Sequence, residues 1–188
     1  NVHMDWLHYI DVLRADHPST VIREADSLLP QFVLRELTKA TQGEAIIVTG
    51  VGQRQMWAAQ YCAFLEPNTL ITSGGLGSMG FEVPAALGAK VGRPDKTVWS
   101  IAGDGGFQMT MCDLATAVEN NINVKFAIMN NGVLGMVHQW QDFFYEKDYF
   151  STVYTGNPDF VKLAEAYGIT GIRVSEKGQV AEAIQQAM

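Results

Sequence analysis

The chain has 188 residues, of which 47% are hydrophobic, and this is enough to bury the core of one ordinary domain but short for two. Its formal charge of −7 comes from 20 acidic and 13 basic residues without a Lys/Arg cluster, which excludes nucleic acid and anionic membrane surfaces from the expected partners. No apolar run approaches the roughly 20 residues that cross a bilayer.

The N-terminal region is predicted to be a linker that comes from a preceding domain and spans residues 1–28. Its apolar residues recur at helical spacing over 5–16, which predicts a helix that packs on a surface. A domain over 29–188 should follow. Pro30 is suited to the first turn of a helix, and the apolar stripe after it predicts a helix that ends near Gly43.

The rest of the chain alternates between short apolar runs and amphipathic segments. Continuous apolar strands separated by helices are typical of a parallel sheet that is covered on both faces. We therefore predict a three-layer α/β/α domain with a mostly parallel sheet, in which residues 133–150 form an irregular, aromatic-rich stretch. The predicted strands are 45–49, 69–72, 97–102, 124–129 and 169–174, and the predicted helices are 53–64, 81–91, 107–120, 159–167 and 179–187.

The two cysteines, Cys62 and Cys112, both fall in apolar helical patterns. Free cysteine behaves as a small hydrophobic residue. Both are therefore expected to be buried and reduced, which favours a reducing compartment.

Polar residues follow two of the predicted strands. Gly103-Asp104-Gly105 ends one strand, and Asn130-Asn131 ends the next one along the chain. In such sheets ligands bind outside the carboxyl ends of the strands, so these groups should meet at one edge. Carboxylate and amide oxygens are suitable ligands for Mg²⁺, and phosphate oxygens can complete the coordination shell of the ion. Glycines let the backbone approach phosphates. The sequence predicts a metal-bridged diphosphate site.

This pairing resembles the signature of thiamine-diphosphate (ThDP) enzymes, in which Gly-Asp-Gly is followed one strand later by Asn-Asn. Further segments are similar to the acetohydroxyacid (acetolactate) synthase catalytic subunits of that family. The similarity runs from about Trp6 to the end of the chain. The segments are GVGQRQMWAAQ (50–60), TSGGLGSMGF (72–81) and NNGVLGMVHQW (130–140).

The resemblance implies a ThDP-binding fold and a set of ligands. Mg²⁺ would be bound by the side chains of Asp104 and Asn131 and by the backbone carbonyl of Val133. Arg54 stands where the family usually has histidine, but it can still donate hydrogen bonds to a phosphate and its charge is permanent. The residues implied near the diphosphate are Gln53, Arg54, Gly105, Gly106 and Gly135.

The resemblance also implies the residues that shape the reactive part of the site. Met79 would be the bulky apolar residue beneath the thiazolium ring, which forces ThDP into a bent shape. Gly77 and Met136 would flank the pyrimidine side, and Trp140 would shape the pocket for the second substrate. Met79, Met136 and Trp140 are the residues expected to contribute most to the reaction.

The implied reaction is the decarboxylation of pyruvate and the condensation of the remaining hydroxyethyl unit with a second 2-ketoacid, in branched-chain amino-acid biosynthesis. The activating glutamate of the family belongs to a pyrimidine-binding domain supplied by another subunit of a dimer or tetramer, and FAD binds a middle domain. Neither domain is recognised in this sequence, so the isolated chain should be nearly inactive. A regulatory subunit and a bacterial cytoplasmic or organellar location are further implications.

Three other interpretations stay open at this point. Gly75 to Gly80 match G-x-G-x-x-G between a predicted strand and helix, as in dinucleotide-binding dehydrogenases, although no acidic residue ends the next strand about 20 residues on. Another ThDP-dependent 2-ketoacid decarboxylase or lyase is the nearest alternative enzyme. A non-catalytic ThDP-binding assembly module is the third. Its interface would be the aromatic residues Trp140, Phe143, Phe144, Tyr145, Tyr149 and Phe150, which could equally be core and lid.

Overall fold

The computed structural model describes residues 3–18 and 20–188. Helix α1 (Met4–Asp16) has no buried residue, whereas α2 (Pro30–Thr41) begins with its proline in the first turn and buries Leu34 and Leu37. The predicted helices are therefore present at both places. The expected packing of α1 on a surface is not seen, since Trp6 is 61% exposed and Leu7 47%. The assignment of residues 1–28 to a linker and 29–188 to a domain remains a prediction.

The centre of the fold is a four-stranded parallel sheet with the strand order β2-β1-β3-β4. Helices pack on both of its faces, as the continuous apolar strands predict. The strands are β1 (Ile46–Thr49), β2 (Leu70–Thr72), β3 (Val98–Gly103) and β4 (Lys125–Met129). The later helices are α3 (Gln53–Tyr61), α4 (Glu82–Gly92), α5 (Asp104–Thr110), α6 (Leu114–Glu119), α7 (Gly135–Phe144), α8 (Phe160–Ala166) and α9 (Lys177–Ala187).

Alternate residues of the central strands fill two separate cores. On one face, Ile47 and Ile101 pack in a cluster with side chains of α2, α3 and α9. On the other face, Val48 and Val98 pack against α4. Because side chains alternate across a strand, every residue of β1 and β3 is buried, and these two strands hold their carboxyl ends in fixed positions.

Two segments differ from the predicted elements. The single helix predicted over 107–120 is instead α5 and α6, joined by a short 3₁₀ turn over Met111–Asp113. Helix α5 begins at Asp104, directly after β3 and earlier than predicted. The stretch 133–150, predicted to be irregular, contains α7. Its apolar residues follow helical spacing, which the density of aromatic residues concealed.

The strand predicted over 169–174 is wrong, since no residue of this segment pairs with a strand. Ile169 packs in the cluster around Phe107, and Val174 packs in the cluster around Ile101. The apolar pattern of this segment therefore reflects the burial of its side chains and not pairing in the sheet. An apolar cavity of about 700 Å³ lies between this segment and β4. Along the described part of the chain β4 thus has no second strand neighbour.

Both cysteines are free, but the expectation that both are buried is wrong, because neither is fully buried. Cys112 is exposed in the 3₁₀ turn, and Cys62 is half-buried beyond the end of α3. Burial raises the pKa of the Cys62 thiol to about 11.

We expect an aromatic disulfide reagent at pH 8 to modify Cys112 rapidly and Cys62 slowly. With a pKa of about 11, Cys62 has a thiolate fraction roughly 100-fold below that of an ordinary thiol at this pH. The release of chromophore should therefore have two phases, and Cys112→Ser should remove the fast one. Equal rates in the native protein would contradict the packing described for Cys62.

Across residues 3–18 and 20–188, no helix is both long and apolar enough to cross a membrane.

Candidate cofactor site

The candidate site lies at the carboxyl edge of the sheet, where β1, β3 and β4 end. β1 leads through Gly50 to Gly52 into α3, and β3 leads directly into α5 at Asp104. β4 leads into the Asn130-Asn131 turn ahead of α7. Gly103 and Met129 are register partners in neighbouring strands, so the two polar signatures predicted to meet lie side by side.

The Asp104 carboxylate is the centre of this edge. It is 2% exposed, and its Oδ1 accepts a hydrogen bond from the backbone N–H of Gly105 at 2.8 Å. Its Oδ2 accepts one from the N–H of Gly132 at 2.7 Å and one from Asn157 Nδ2 at 2.8 Å. These three hydrogen bonds fix the orientation of the Asp104 carboxylate between the two loops.

The turn after β4 is fixed in place by a later segment of the chain. Gly132 has a φ of +72°, a conformation that glycine adopts without strain, and its carbonyl accepts a hydrogen bond from Tyr154 N at 2.9 Å. Val133 forms an antiparallel bridge with Val153. Asn131 Oδ1 accepts a bond from Val133 N at 3.2 Å. The side-chain oxygen of Asn131 therefore lies close to its own turn.

Gln53, Asn131 and Gly135 come together beside this turn. Gln53 Nε2 donates to Gln139 Oε1 at 2.8 Å, which links the first turn of α3 to α7. A Cβ placed on Gly135 would overlap the Gln53 carboxamide and would lie 3.2 Å from Asn131 Nδ2. A side chain at residue 135 would thus close the space between the two helix N-termini.

The side chains of Tyr154 and Met79 lie over Gly105. A Cβ on Gly105 would overlap the Tyr154 hydroxyl and would approach the Met79 methyl group to 2.9 Å. Met79 is half-buried, so its side chain covers the start of α5. Burial, followed by the nearby Asp104 carboxylate, raises the pKa of the Tyr154 hydroxyl, which therefore stays protonated at neutral pH.

The remaining predicted residues lie further out. Gly77 is on an exposed turn with a φ of +66°, where an added Cβ would meet only the Val51 side chain, at 3.9 Å. Met136, in the first turn of α7, approaches Gly52. Trp140 is 53% exposed on α7. The structure therefore groups the predicted metal and diphosphate residues closely and places Gly77 and Trp140 at the periphery.

Arg54 is buried against a residue to which the sequence assigns no role, Glu82. The Arg54 side chain is 12% exposed and that of Glu82 is fully buried, with Nη2 and Oε1 3.6 Å apart. Burial lowers the pKa of Arg54, while Glu82 and Asp104 raise it. Burial raises the pKa of Glu82, and Arg54 opposes that shift. Gly106 packs directly on this pair.

Sequence reasoning missed Glu82, Asn157 and Tyr154. Asn157 and Tyr154 lie in irregular chain far from the signatures, and only the fold brings them to Asp104. Glu82 has one signal in the sequence, which is a charged residue within the otherwise apolar run that begins α4.

The oxygen atoms at this edge fit a hard cation. No cluster of three or more His, Cys, Asp or Glu side chains suited to a metal occurs among the described residues, so a cation here would combine one carboxylate with amide and backbone oxygens. That set leaves most of an octahedral shell to other oxygen ligands, as Mg²⁺ prefers. Helices α3 and α7 also begin at this edge, and the backbone N–H groups of helix N-termini can bind phosphate groups.

Replacing Asn157 with alanine should weaken cofactor binding by roughly 5- to 30-fold, because the variant loses the bonds from Nδ2 to Asp104 Oδ2 and Asn130 Oδ1. The measurement is the ThDP dissociation constant in the presence of Mg²⁺. Asn120→Ala is the control, since the Asn120 amide also acts as a side-chain donor, with one bond, but lies on an exposed helix end. Equal affinities in the two variants would show that Asn157 does not orient Asp104.

Comparison with known proteins assigns this arrangement to a family. Residues 50–188 match the model of the thiamine pyrophosphate enzyme C-terminal TPP-binding domain, where TPP is ThDP. The chain is 49% identical to the acetolactate synthase large subunit of Corynebacterium glutamicum, with 97% of this chain and 30% of that protein aligned. It is 41% identical to the acetolactate synthase isozyme 2 large subunit of Escherichia coli, with 96% of this chain and 33% of that protein aligned.

A plant relative is also similar to nearly the whole of this chain. The chain is 44% identical to the chloroplastic acetolactate synthase 2 of Nicotiana tabacum, over 97% of this chain and 29% of that protein. The chain thus spans about a third of the length of these relatives. It belongs to the thiamine pyrophosphate enzyme family, as a C-terminal TPP-binding domain of the acetolactate synthase large-subunit type.

Proposed function

We propose that the protein carrying this chain is an acetolactate synthase, which decarboxylates pyruvate and joins the two-carbon unit to a second 2-ketoacid. The observation that supports this best is the buried Asp104 carboxylate held against the Asn130-Asn131 turn, in a chain 49% identical to the acetolactate synthase large subunit of Corynebacterium glutamicum. The oxygen atoms of the site suit a cation that bridges to a diphosphate.

In this proposal Mg²⁺ is held by Asp104, Asn131 and the Val133 carbonyl. These groups lie on two loops that the hydrogen bonds of Gly132 join, so the cation would tie the ends of β3 and β4 together. The residues proposed to surround the diphosphate are Gln53, Arg54, Gly105, Gly106 and Gly135.

The protein's contribution to the chemistry is orientation and the exclusion of water. ThDP, when bound, supplies a thiazolium carbon that its own aminopyrimidine makes nucleophilic. Met79 would support the thiazolium ring, and its position over Gly105 is consistent with this role. Gly77 and Met136 would border the pyrimidine, and Trp140 would line the pocket of the second 2-ketoacid.

The rest of the active enzyme would come from other domains. Large aromatic side chains on and after α7 are exposed, including Phe143 at 65%, Phe144 at 73% and Phe150 at 78%. Exposed apolar patches of this kind mark interaction surfaces, so we assign this one to the pyrimidine-binding domain of another subunit in a dimer or tetramer. FAD would bind a middle domain outside this chain, and a regulatory subunit would join the complete enzyme.

The isolated domain should show little or no turnover, because the activating glutamate belongs to that other subunit. The bacterial and chloroplastic relatives support a location in the bacterial cytoplasm or in an organelle of a eukaryote.

The proposal is tested by product analysis of the full-length protein with pyruvate, ThDP and Mg²⁺. Acetolactate should be the main product, with a mixed acetohydroxy acid appearing when 2-ketobutyrate is added. Acetaldehyde as the sole product would instead identify a decarboxylase. ThDP binding without any turnover in the complete protein would favour the non-catalytic assembly module.

A further inference from the structure

Helix α7, which carries Trp140, is held in place by hydrogen bonds and not by core packing. All of α7 lies in the part of the chain that the structure describes, where none of its residues is buried or belongs to a hydrophobic core cluster. Helices in proteins gain most of their stability from an apolar face that packs on a core. The direction in which α7 presents its side chains must therefore be fixed by other contacts.

Gln139 attaches one side of α7 to α3. Its Oε1 accepts a hydrogen bond from Gln53 Nε2 at 2.8 Å, and both side chains are half-buried. Gln53 is the first residue of α3, which follows the fully buried strand β1. This bond therefore connects α7 to a helix that the centre of the sheet positions.

Gln141 attaches α7 to the segment that follows it. Its Oε1 accepts a hydrogen bond from Thr152 Oγ1 at 2.7 Å, and its Nε2 donates one to the Phe150 carbonyl at 3.1 Å. Thr152 is buried, and its carbonyl accepts a bond at 2.8 Å from the backbone N–H of Leu134, directly before α7. The same segment thus holds α7 at its start and in its second half.

Trp140 lies between these two attachments. Successive residues of an α-helix are turned by about 100° around its axis, so Gln139 and Gln141 point to opposite sides of Trp140. A rotation of α7 about its axis would strain both attachments. Together the two glutamines therefore fix the direction in which the helix presents the exposed Trp140 side chain.

We propose that Gln139 and Gln141 are positioning residues for Trp140, and that they set how the enzyme distinguishes between second 2-ketoacids. The inference rests on the proposed function, in which Trp140 lines that pocket, and it names the residues on which the direction of the indole depends. Pyruvate and 2-ketobutyrate differ by one methylene group, which an apolar pocket can distinguish by roughly 10- to 200-fold. A displaced indole loses part of this discrimination.

The test is the molar ratio of the mixed acetohydroxy acid to acetolactate that the full-length protein forms from pyruvate and 2-ketobutyrate with ThDP and Mg²⁺. Both products contain the same two-carbon unit, so the ratio does not depend on how much of the enzyme is folded or loaded with cofactor. Trp140→Leu gives the ratio of a pocket without the indole. Gln139→Leu and Gln141→Leu should each move the wild-type ratio toward that value by about 3-fold or more.

The sharpest comparison is Gln141→Leu made in the Trp140→Leu protein. A residue that acts through Trp140 should change the ratio by less than about 1.5-fold once the indole is absent, which is the coupling that a double-mutant cycle measures. Gln186→Leu is the control, because the Gln186 amide also donates a side-chain bond but lies on the exposed side of α9. This variant should keep the wild-type ratio.

If Gln141→Leu does not fold, Thr152→Val takes its place. The valine removes the hydroxyl that donates to Gln141 and leaves α7 itself unchanged, so the ratio should move in the same direction.

A wild-type ratio in either glutamine variant, or in Trp140→Leu, would overturn the inference. The same effect of the Gln141 change with and without the indole would also overturn it, because Gln141 would then not act through Trp140. Failure of the proposed function is distinguishable, because the wild-type protein would then form neither product.

Discussion

Replacing Asp104 with asparagine should raise the dissociation constant of ThDP in Mg²⁺ by at least about 100-fold. The variant loses the charge that would bind the cation. The NH₂ group of the new amide must also replace one carboxylate oxygen, and it then faces either the N–H donor of Gly105 or the donors of Gly132 and Asn157. Charged hydrogen bonds of this kind contribute roughly 1.5–3 kcal/mol each, and a lost metal ligand adds to that. The measurement is a calorimetric titration of the full-length protein.

Asp26→Asn provides the control, since it makes the same change in charge at an exposed residue and should leave the affinity unaltered. Circular dichroism of the Asp104 variant would separate loss of the site from loss of the fold. A folded Asp104→Asn protein that binds ThDP with wild-type affinity in Mg²⁺ would rule out Asp104 as the metal ligand.

Gly105→Ala should weaken ThDP binding by roughly 10-fold or more while the domain stays folded. Alanine improves helix propensity by about 1 kcal/mol relative to glycine, so α5 itself gains from the change. The new methyl group, however, would overlap the Tyr154 hydroxyl and press on Met79. Both side chains must then move into the space proposed for the cofactor. The measurements are the thermal midpoint and the ThDP dissociation constant.

Gly88→Ala is the matched control for this substitution. A Cβ at Gly88 meets nothing within 4 Å, so it should raise the thermal midpoint slightly and leave binding unchanged. Adding Tyr154→Phe to Gly105→Ala removes the overlapping hydroxyl and should restore part of the affinity. A Gly105→Ala protein that binds ThDP as tightly as the wild type would contradict the position given to the diphosphate.

The sequence predicts the parallel sheet and its helices because β1 and β3 are continuous apolar runs buried on both faces. The prediction of strands fails where an apolar run has a cause other than pairing in the sheet. The residues of 169–174 are apolar because Ile169 and Val174 join two cores, and their spacing cannot distinguish that packing from strand pairing. Helix α7 was missed because aromatic density obscured its period.

At the site, the sequence predicts the residues that stand in recognisable motifs and no others. Asp104 and the Asn130-Asn131 turn come together as predicted, since neighbouring parallel strands end at one edge. Asn157 reaches Asp104 from a loop without periodicity or motif, so only tertiary structure reveals it. The partnership of Arg54 and Glu82 is also invisible, because a sequence shows two unusual charges but not that they touch.

The most direct test of the account is the affinity of the wild-type full-length protein for ThDP, measured by calorimetry once with Mg²⁺ and once with EDTA. We predict tight binding that requires the cation, with at least about 100-fold weaker binding in EDTA, because the Asp104 carboxylate repels a diphosphate that no cation bridges to it. Equal binding under both conditions, or no binding by folded protein in Mg²⁺, would contradict a metal-bridged diphosphate site at the ends of β3 and β4.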